Sequence, residues 1–250
     1  MTTSSQTPPT SMRLKRRVDV GGRRLSVSHC GSHLYVRAHH GVNLVTPDGQ
    51  SSSVISVDEI VWSVSVCDNL IYKLVSKNKI ASVRVYDIGY HLVQSWVYDN
   101  GYTKINQLTV RKDRVLIPDR DSKTIIQYSL TGEVERRIRC NVLNATRTSL
   151  CVKSSCPDAL IVSCGGSVLC MDMSTGRFLW SNGSLEEPRA VCCDNADRVY
   201  VAIGEVSNTI QIAVLDGDTG KSVCKPSASF RYCSLSVIGS LWINVRIHCW

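Results

Sequence analysis

The stretch Val115-Leu-Ile-Pro-Asp119-Arg-Asp-Ser-Lys-Thr-Ile-Ile-Gln-Tyr128-Ser-Leu-Thr-Gly132 decides the fold. Two runs rich in branched and aromatic residues flank a short polar turn, and a glycine turn closes the second run. Such runs suit a pleated, half-buried backbone, so the stretch predicts strand, turn, strand, turn. A helix would repeat its apolar positions every three or four residues, and this stretch does not.

Working outward, the pattern recurs. A pair of apolar residues follows a polar turn six times, at Leu34-Tyr35, Ile71-Tyr72, Val115-Leu116, Leu160-Ile161, Val199-Tyr200 and Leu241-Trp242. The intervals are 37, 44, 45, 39 and 42 residues. An apolar alternation precedes each pair, as in Val61-Trp-Ser-Val-Ser-Val66 and Leu150-Cys-Val152. A second run follows, as in Ser167-Val-Leu-Cys-Met171 and Thr209-Ile-Gln-Ile-Ala-Val214. Next comes a tight turn: Pro47-Asp-Gly49, Asp87-Ile-Gly89, Thr131-Gly132, Thr175-Gly176 or Asp218-Thr-Gly220. Glycine supplies the positive φ such turns require. A fourth short run, such as Phe178-Leu-Trp180, ends the unit.

Four strands per unit of about 41 residues is the signature of a propeller blade. The expectation is an all-β, six-bladed β-propeller of four-stranded antiparallel blades. A two-sheet sandwich or a pair of small β domains would not repeat so regularly. The sixth repeat, from Arg231 to Trp250, has room for three strands. Unpaired sheet edges invite aggregation, so the ring needs a closing strand. The alternating segment Arg16-Arg-Val18-Asp-Val20 is expected to supply it, as an N-terminal strand closing the last blade.

Composition agrees with a globular chain. Of 250 residues, 43% are hydrophobic and 20% charged, which excludes wholesale disorder and collagen-like structure. No apolar run is long enough for a membrane-spanning helix. Residues 1–12 read as a disordered tail of Ser, Thr, Pro and Gln, and 13–250 as one propeller domain. The net charge is +8, yet Arg13, Lys15, Arg16, Arg17, Arg23 and Arg24 outweigh Asp19 within the first 24 residues. The excess is thus mainly a basic leader, and the ring carries charges of both signs.

No secretory core precedes the repeats, so a cytoplasmic protein with reduced thiols is expected. Twelve cysteines are present without a CxxC pair or zinc spacing. Several lie inside apolar runs, where a free cysteine packs as a small hydrophobe. The vicinal Cys192-Cys193 pair should point to opposite faces of its strand.

The third and fifth repeats resemble NHL-type propeller repeats. The residues that carry the resemblance are Val115 to Gly132 above and Pro188-Arg-Ala-Val191-Cys-Cys-Asp194-Asn-Ala-Asp-Arg-Val199-Tyr-Val201. The resemblance extends diffusely over 24–250. The fourth repeat, Met171-Asp-Met-Ser-Thr-Gly176-Arg-Phe-Leu-Trp180, is more similar to a quinoprotein-type repeat, but a single copy implies no cofactor. No Trp-Asp dipeptide supports a WD-repeat assignment. In tripartite-motif proteins NHL propellers commonly follow a RING, a B-box and a coiled coil, and none of these is legible here.

The resemblance implies a partner, protein or single-stranded RNA, on the face built from the b–c and d–a loops (strands a to d numbered from the ring's centre). The cations expected there are Arg37, Lys77, Lys79, Arg120, Lys123 and Arg246. RNA recognition also needs aromatics for stacking, and few interleave these positions. The expectation is therefore a non-catalytic scaffold binding a protein partner, as a monomer, with no small-molecule substrate or cofactor. RNA binding is the first alternative. A calcium-dependent six-bladed hydrolase or lactonase is the second, and it would need oxygen ligands such as Glu59, Asp113, Asp194 and Glu205 to converge. His39-His40 reads as solvated loop rather than a metal site. No nucleophile elbow or phosphate-binding loop appears, and Gly165-Gly166 reads as a b–c hairpin turn.

Overall fold

The computed structural model describes residues 17–19, 27–30, 33–38 and 41–246, with gaps at 47, 49, 57, 99–104, 106, 144–147, 207–208, 225–228, 231–234 and 239–240. Side chains at 17–30, 204–210 and 224–246 are outside the description. The expected tail at 1–12, Arg13, Lys15, Arg16 and His39-His40 all lie outside the described residues.

Every regular element among the described residues is a strand. A short strand β1 (Arg17–Asp19) comes first. Blade one is β2 (Val27–Cys30), β3 (His33–Ala38), β4 (Gly41–Val45) and β5 (Ser51–Ser56). Blade two is β6 (Ile60–Cys67), β7 (Leu70–Lys77), β8 (Ile80–Asp87) and β9 (Leu92–Val97). Blade three is β10 (Thr109–Arg111), β11 (Arg114–Asp119), β12 (Thr124–Ser129) and β13 (Val134–Arg139). Blade four is β14 (Thr148–Val152), β15 (Ala159–Cys164), β16 (Ser167–Asp172) and β17 (Phe178–Asn182). Blade five is β18 (Ala190–Cys193), β19 (Val199–Val206), β20 (Thr209–Leu215) and β21 (Ser222–Cys224), with β22 (Ser229–Phe230) also pairing β20. All pairings inside these blades are antiparallel, in chain order.

The count departs from expectation: among the described residues there are five four-stranded antiparallel blades, not six. The sixth repeat supplies β23 (Leu235–Ile238) and β24 (Leu241–Arg246), which pair with each other. The N-terminal segment does reach this sheet, but β1 runs parallel to β24, with Arg17 opposite Asn244 and Asp19 opposite Arg246. It thereby occupies the flank of β24 that a third antiparallel strand would need. The result is a three-stranded sheet, β1-β24-β23. The inner strands touch in cyclic order β2, β6, β10, β14, β18, β23 and back to β2, so this sheet completes the ring.

Packing explains why the middle strands read as unbroken apolar runs. Blades two, three and four are each covered on both faces. Val115 and Ile117 of β11 join Tyr72, Leu74, Val83 and Tyr128 between blades two and three. Leu116, one residue out of phase, joins Leu150, Leu160, Val162 and Met171 between blades three and four. Ile161, Val168 and Cys170 meet Val191, Val201 and Leu215 between blades four and five. Tyr35, Val42 and Ile55 meet Val64, Ile71 and Tyr86 between blades one and two. Each fully buried Leu or Ile contributes about 1.5–3 kcal/mol, so these interfaces dominate the ring's stability. Hydroxyls tie the inner strands together: Val110 N donates to Ser65 Oγ at 3.3 Å, Thr109 Oγ1 to the Leu150 carbonyl at 3.1 Å, and Val191 N to Ser149 Oγ at 3.1 Å.

Candidate interaction face

The b–c turns of blades two, three and four are short hairpins, and the local sequence says why. In blade two, Asn78 and Lys79 take φ of 51° and 65°, the left-handed pair that suits a two-residue turn. In blade four, Gly165 and Gly166 do the same at 61° and 93°, as expected of that dipeptide. Blade three uses four residues. Buried Asp119 accepts from Asp121 N at 3.0 Å and Ser122 N at 3.3 Å, and Lys123 turns the chain back at φ 53°.

These turns place Lys77, Lys79 and Lys123 on the surface, with Arg120 half-buried beside them. Four of the six expected cations therefore sit at the b–c ends of two consecutive blades. Exposed Asp121 and Asp58 share the region, so the face is mixed in charge with a local positive excess.

Arg37 does not belong to this rim. It lies inside β3, 8% exposed, with its guanidinium 5.9 Å from the Trp62 ring centroid. Its stem fills the joint between blades one and two, where a flat guanidinium stacks on an indole. Arg246 ends β24, and its side chain is outside the described residues. Glu205, named above as an oxygen ligand for calcium, belongs to strand β19.

A buried polar cluster beside Arg37 was not legible in the sequence. Trp62 Nε1 donates to Ser76 Oγ at 2.8 Å. Glu59, buried in the loop before β6, pairs with Arg84 of β8. Lys73 of β7 is fully buried, its ammonium 4.4 Å from the Tyr86 ring centroid. Burial, aided by the Arg84 charge and opposed by Glu59, pulls its pKa down to about 8. The period-two pattern hid this residue, since Lys73 occupies an inward position flanked by Tyr72 and Leu74.

The opposite face, built from a–b and c–d turns, holds many of the acids, each already engaged. Arg114 bridges Asp113 and Asp158 at 2.6 and 2.9 Å, across the joint of blades three and four. That hydrogen bond holds the Asp113 carboxyl below its usual range. Asp197 accepts from Ser154 N at 2.7 Å, and Lys153 pairs with Asp218, across the joint of blades four and five. Asp194 accepts from Arg198 and from Tyr200 Oη at 3.0 Å. Asp172 and Asp216 cap their own c–d turns through Ser174 and Thr219, and those bonds lower both carboxyls.

Three of the oxygen ligands a calcium site would need are apart. Glu59 lies before blade two, Asp113 and Asp194 lie on the other face, and each is bound to an arginine. Among the described residues no group of three or more His, Cys, Asp or Glu side chains is arranged to hold a metal ion. No helix among them is long and apolar enough to cross a membrane.

The fold and this geometry define the class: the chain is a β-propeller with four-stranded antiparallel blades. No protein-family model matches the chain, and no curated protein matches it. Solved structures do resemble it. A chain of a nidogen–laminin complex superposes with a TM-score of 0.65 at 13% identity, covering 83% of this chain and 80% of that one. A Bacteroides caccae protein of unknown function gives 0.59 at 11% identity, covering 79% of each chain. A chain of the mitotic checkpoint complex gives 0.57 at 10% identity, covering 93% of this chain and 88% of that one. At such identity the likeness establishes the fold alone.

Proposed function

We propose that the protein is a non-catalytic interaction scaffold that binds an acidic protein surface on the b–c turns of blades two and three. The observation that carries this reading is that Lys77, Lys79 and Lys123 are exposed on the b–c hairpins of adjacent blades, with Arg120 on the same turn as Lys123. A stiff antiparallel ring presents such turns without having to move, so little ordering entropy is lost on binding. Two of the similar propellers come from protein complexes, which favours a protein partner. The choice of protein over single-stranded RNA rests on aromatics. Among the described residues, Phe178 is the only exposed Phe, Tyr or Trp, and it lies on the outer strand of blade four. RNA needs a stacking platform beside the cations. The NHL resemblance and a cytoplasmic location belong to the same proposal.

The test compares wild type with K77E/K79E/K123E and with K221E, a control on the opposite face. Partners captured from extract should be retained by K221E and lost by the triple variant, with association slowed about tenfold or more. Equal capture by all three would refute the face. Tight binding of random single-stranded RNA, steeply weakened by salt, would replace the protein reading with the RNA one.

A further inference from the structure

Two cysteines far apart in the chain meet at the joint of blades four and five. Cys151 lies on β14 and Cys193 on β18, the inner strands of the two blades, and their sulfurs are 3.2 Å apart. The strands are held side by side by the Val191 N to Ser149 Oγ hydrogen bond, two residues from each sulfur. On the outer side of the same joint, Trp180 and Asn182 donate to the carbonyls of Gly217 and Gly220 at 2.9 and 2.8 Å. The joint is thus clamped at both ends, and the sulfurs cannot easily drift apart. Both residues are half-buried, which leaves a path for a small oxidant, whereas Cys140, Cys164, Cys170 and Cys192 are buried.

We propose that Cys151 and Cys193 are a redox modification site, converted by a hydroperoxide-class oxidant into a disulfide that staples blade four to blade five. A disulfide needs sulfurs about 2.05 Å apart, so the pair must close by roughly 1 Å. The Cys193 sulfur, as thiolate, attacks one peroxide oxygen. The O–O bond breaks, and the other oxygen leaves with a proton as water or alcohol. Cys193 is then a sulfenic acid. The Cys151 sulfur attacks it, the S–O bond breaks, and the hydroxyl leaves as water with the Cys151 proton. Two thiols and one peroxide give one disulfide, with two oxygens carried off as water, or as water and alcohol.

Burial, with the neighbouring Cys193 sulfur, pushes the Cys151 thiol well up, so Cys151 stays protonated until it resolves the sulfenic acid. Bridging is accordingly slow near neutral pH and faster as pH rises. In a reducing compartment the thiol form is the resting state, and the bridge records an oxidative episode.

The test treats the full chain with hydrogen peroxide at neutral and mildly alkaline pH, then maps peptides without reduction. The expected result is a cross-linked peptide pair containing Cys151 and Cys193, formed faster at the higher pH and reversed by dithiothreitol. The melting temperature should rise by roughly 5–15 °C, since the bridge closes a long loop. C151S and C193S should each remove that rise, and C156S, which alters an exposed cysteine, should keep it. Bridging through other cysteines in the wild-type map, or irreversible oxidation of Cys193 with no bridge, would overturn the proposal. The wild-type map decides even if a variant folds poorly.

Discussion

Lys73 shows how one side chain can work against its surroundings. It is fully buried, and its amine is left with the Tyr86 ring face and the partial attraction of Glu59. A buried charge without a hydrogen-bonded partner costs more than it returns. Replacement by methionine keeps the stem and removes the charge. K73M should therefore be more stable at pH 7 by about 1–3 kcal/mol. The pH dependence follows from the lowered pKa of about 8 against the ordinary 10.5. Between those values the unfolded chain binds a proton that the folded one lacks, so wild-type stability rises with pH across that window. Urea unfolding at several pH values should show that rise in wild type and lose it in K73M. Arg37 illustrates the opposite case, a cation whose burial is relieved by stacking on Trp62.

At the scale of elements, the c–d turn is the piece that locks neighbouring blades. Gly132, Gly176 and Gly220 all adopt positive φ, at 87°, 73° and 67°, as the sequence predicted for these turns. In blade two the positive φ falls on Tyr90 rather than Gly89. Gly220 has a second duty, because the indole of Trp180 from blade four lies against it, and Trp96 of blade two lies likewise against Gly132. At Gly176 nothing stands within 4 Å of where a Cβ would be. Alanine at Gly176 should thus cost only the left-handed backbone, about 1–2 kcal/mol. Alanine at Gly220 must also displace a packed indole, for about 2–4 kcal/mol in all. Chemical denaturation of the two variants, side by side, checks the ordering. Equal losses would mean that the indole contact adds nothing.

For the whole molecule, stability depends on closing the ring. Five blades are complete within themselves, but the last sheet draws one strand from the start of the chain and two from its end. That arrangement joins residues more than 220 positions apart, as in Arg17 opposite Asn244. Deleting residues 1–22 should strip β24 of its outer neighbour and lower the melting temperature. An unchanged melting temperature would show that β1 contributes nothing to closure. The truncated protein should also aggregate more readily, since a bare strand edge pairs with other chains.

Much of this was legible in the chain. All six apolar pairs fall in b strands, the second runs fall in c strands, and Gly165-Gly166 is the turn that it resembles, because strand formation follows local apolar pattern and turn chemistry. The N-terminal segment was recognisable as a strand that would reach the final sheet, but not its parallel direction or the strand it would pair with, because both depend on how two distant ends of the chain approach each other. The blade count turned on the same point. The side-chain partnerships were beyond reach for a related reason. Whether Arg37 lies on a rim or under an indole, whether Lys73 faces solvent or Tyr86, and that Cys151 touches Cys193 across 42 positions are contacts between blades. A repeat pattern determines each blade by itself. Only the tertiary structure decides how one blade's face meets the next, because that depends on the relative placement of segments that share no local sequence.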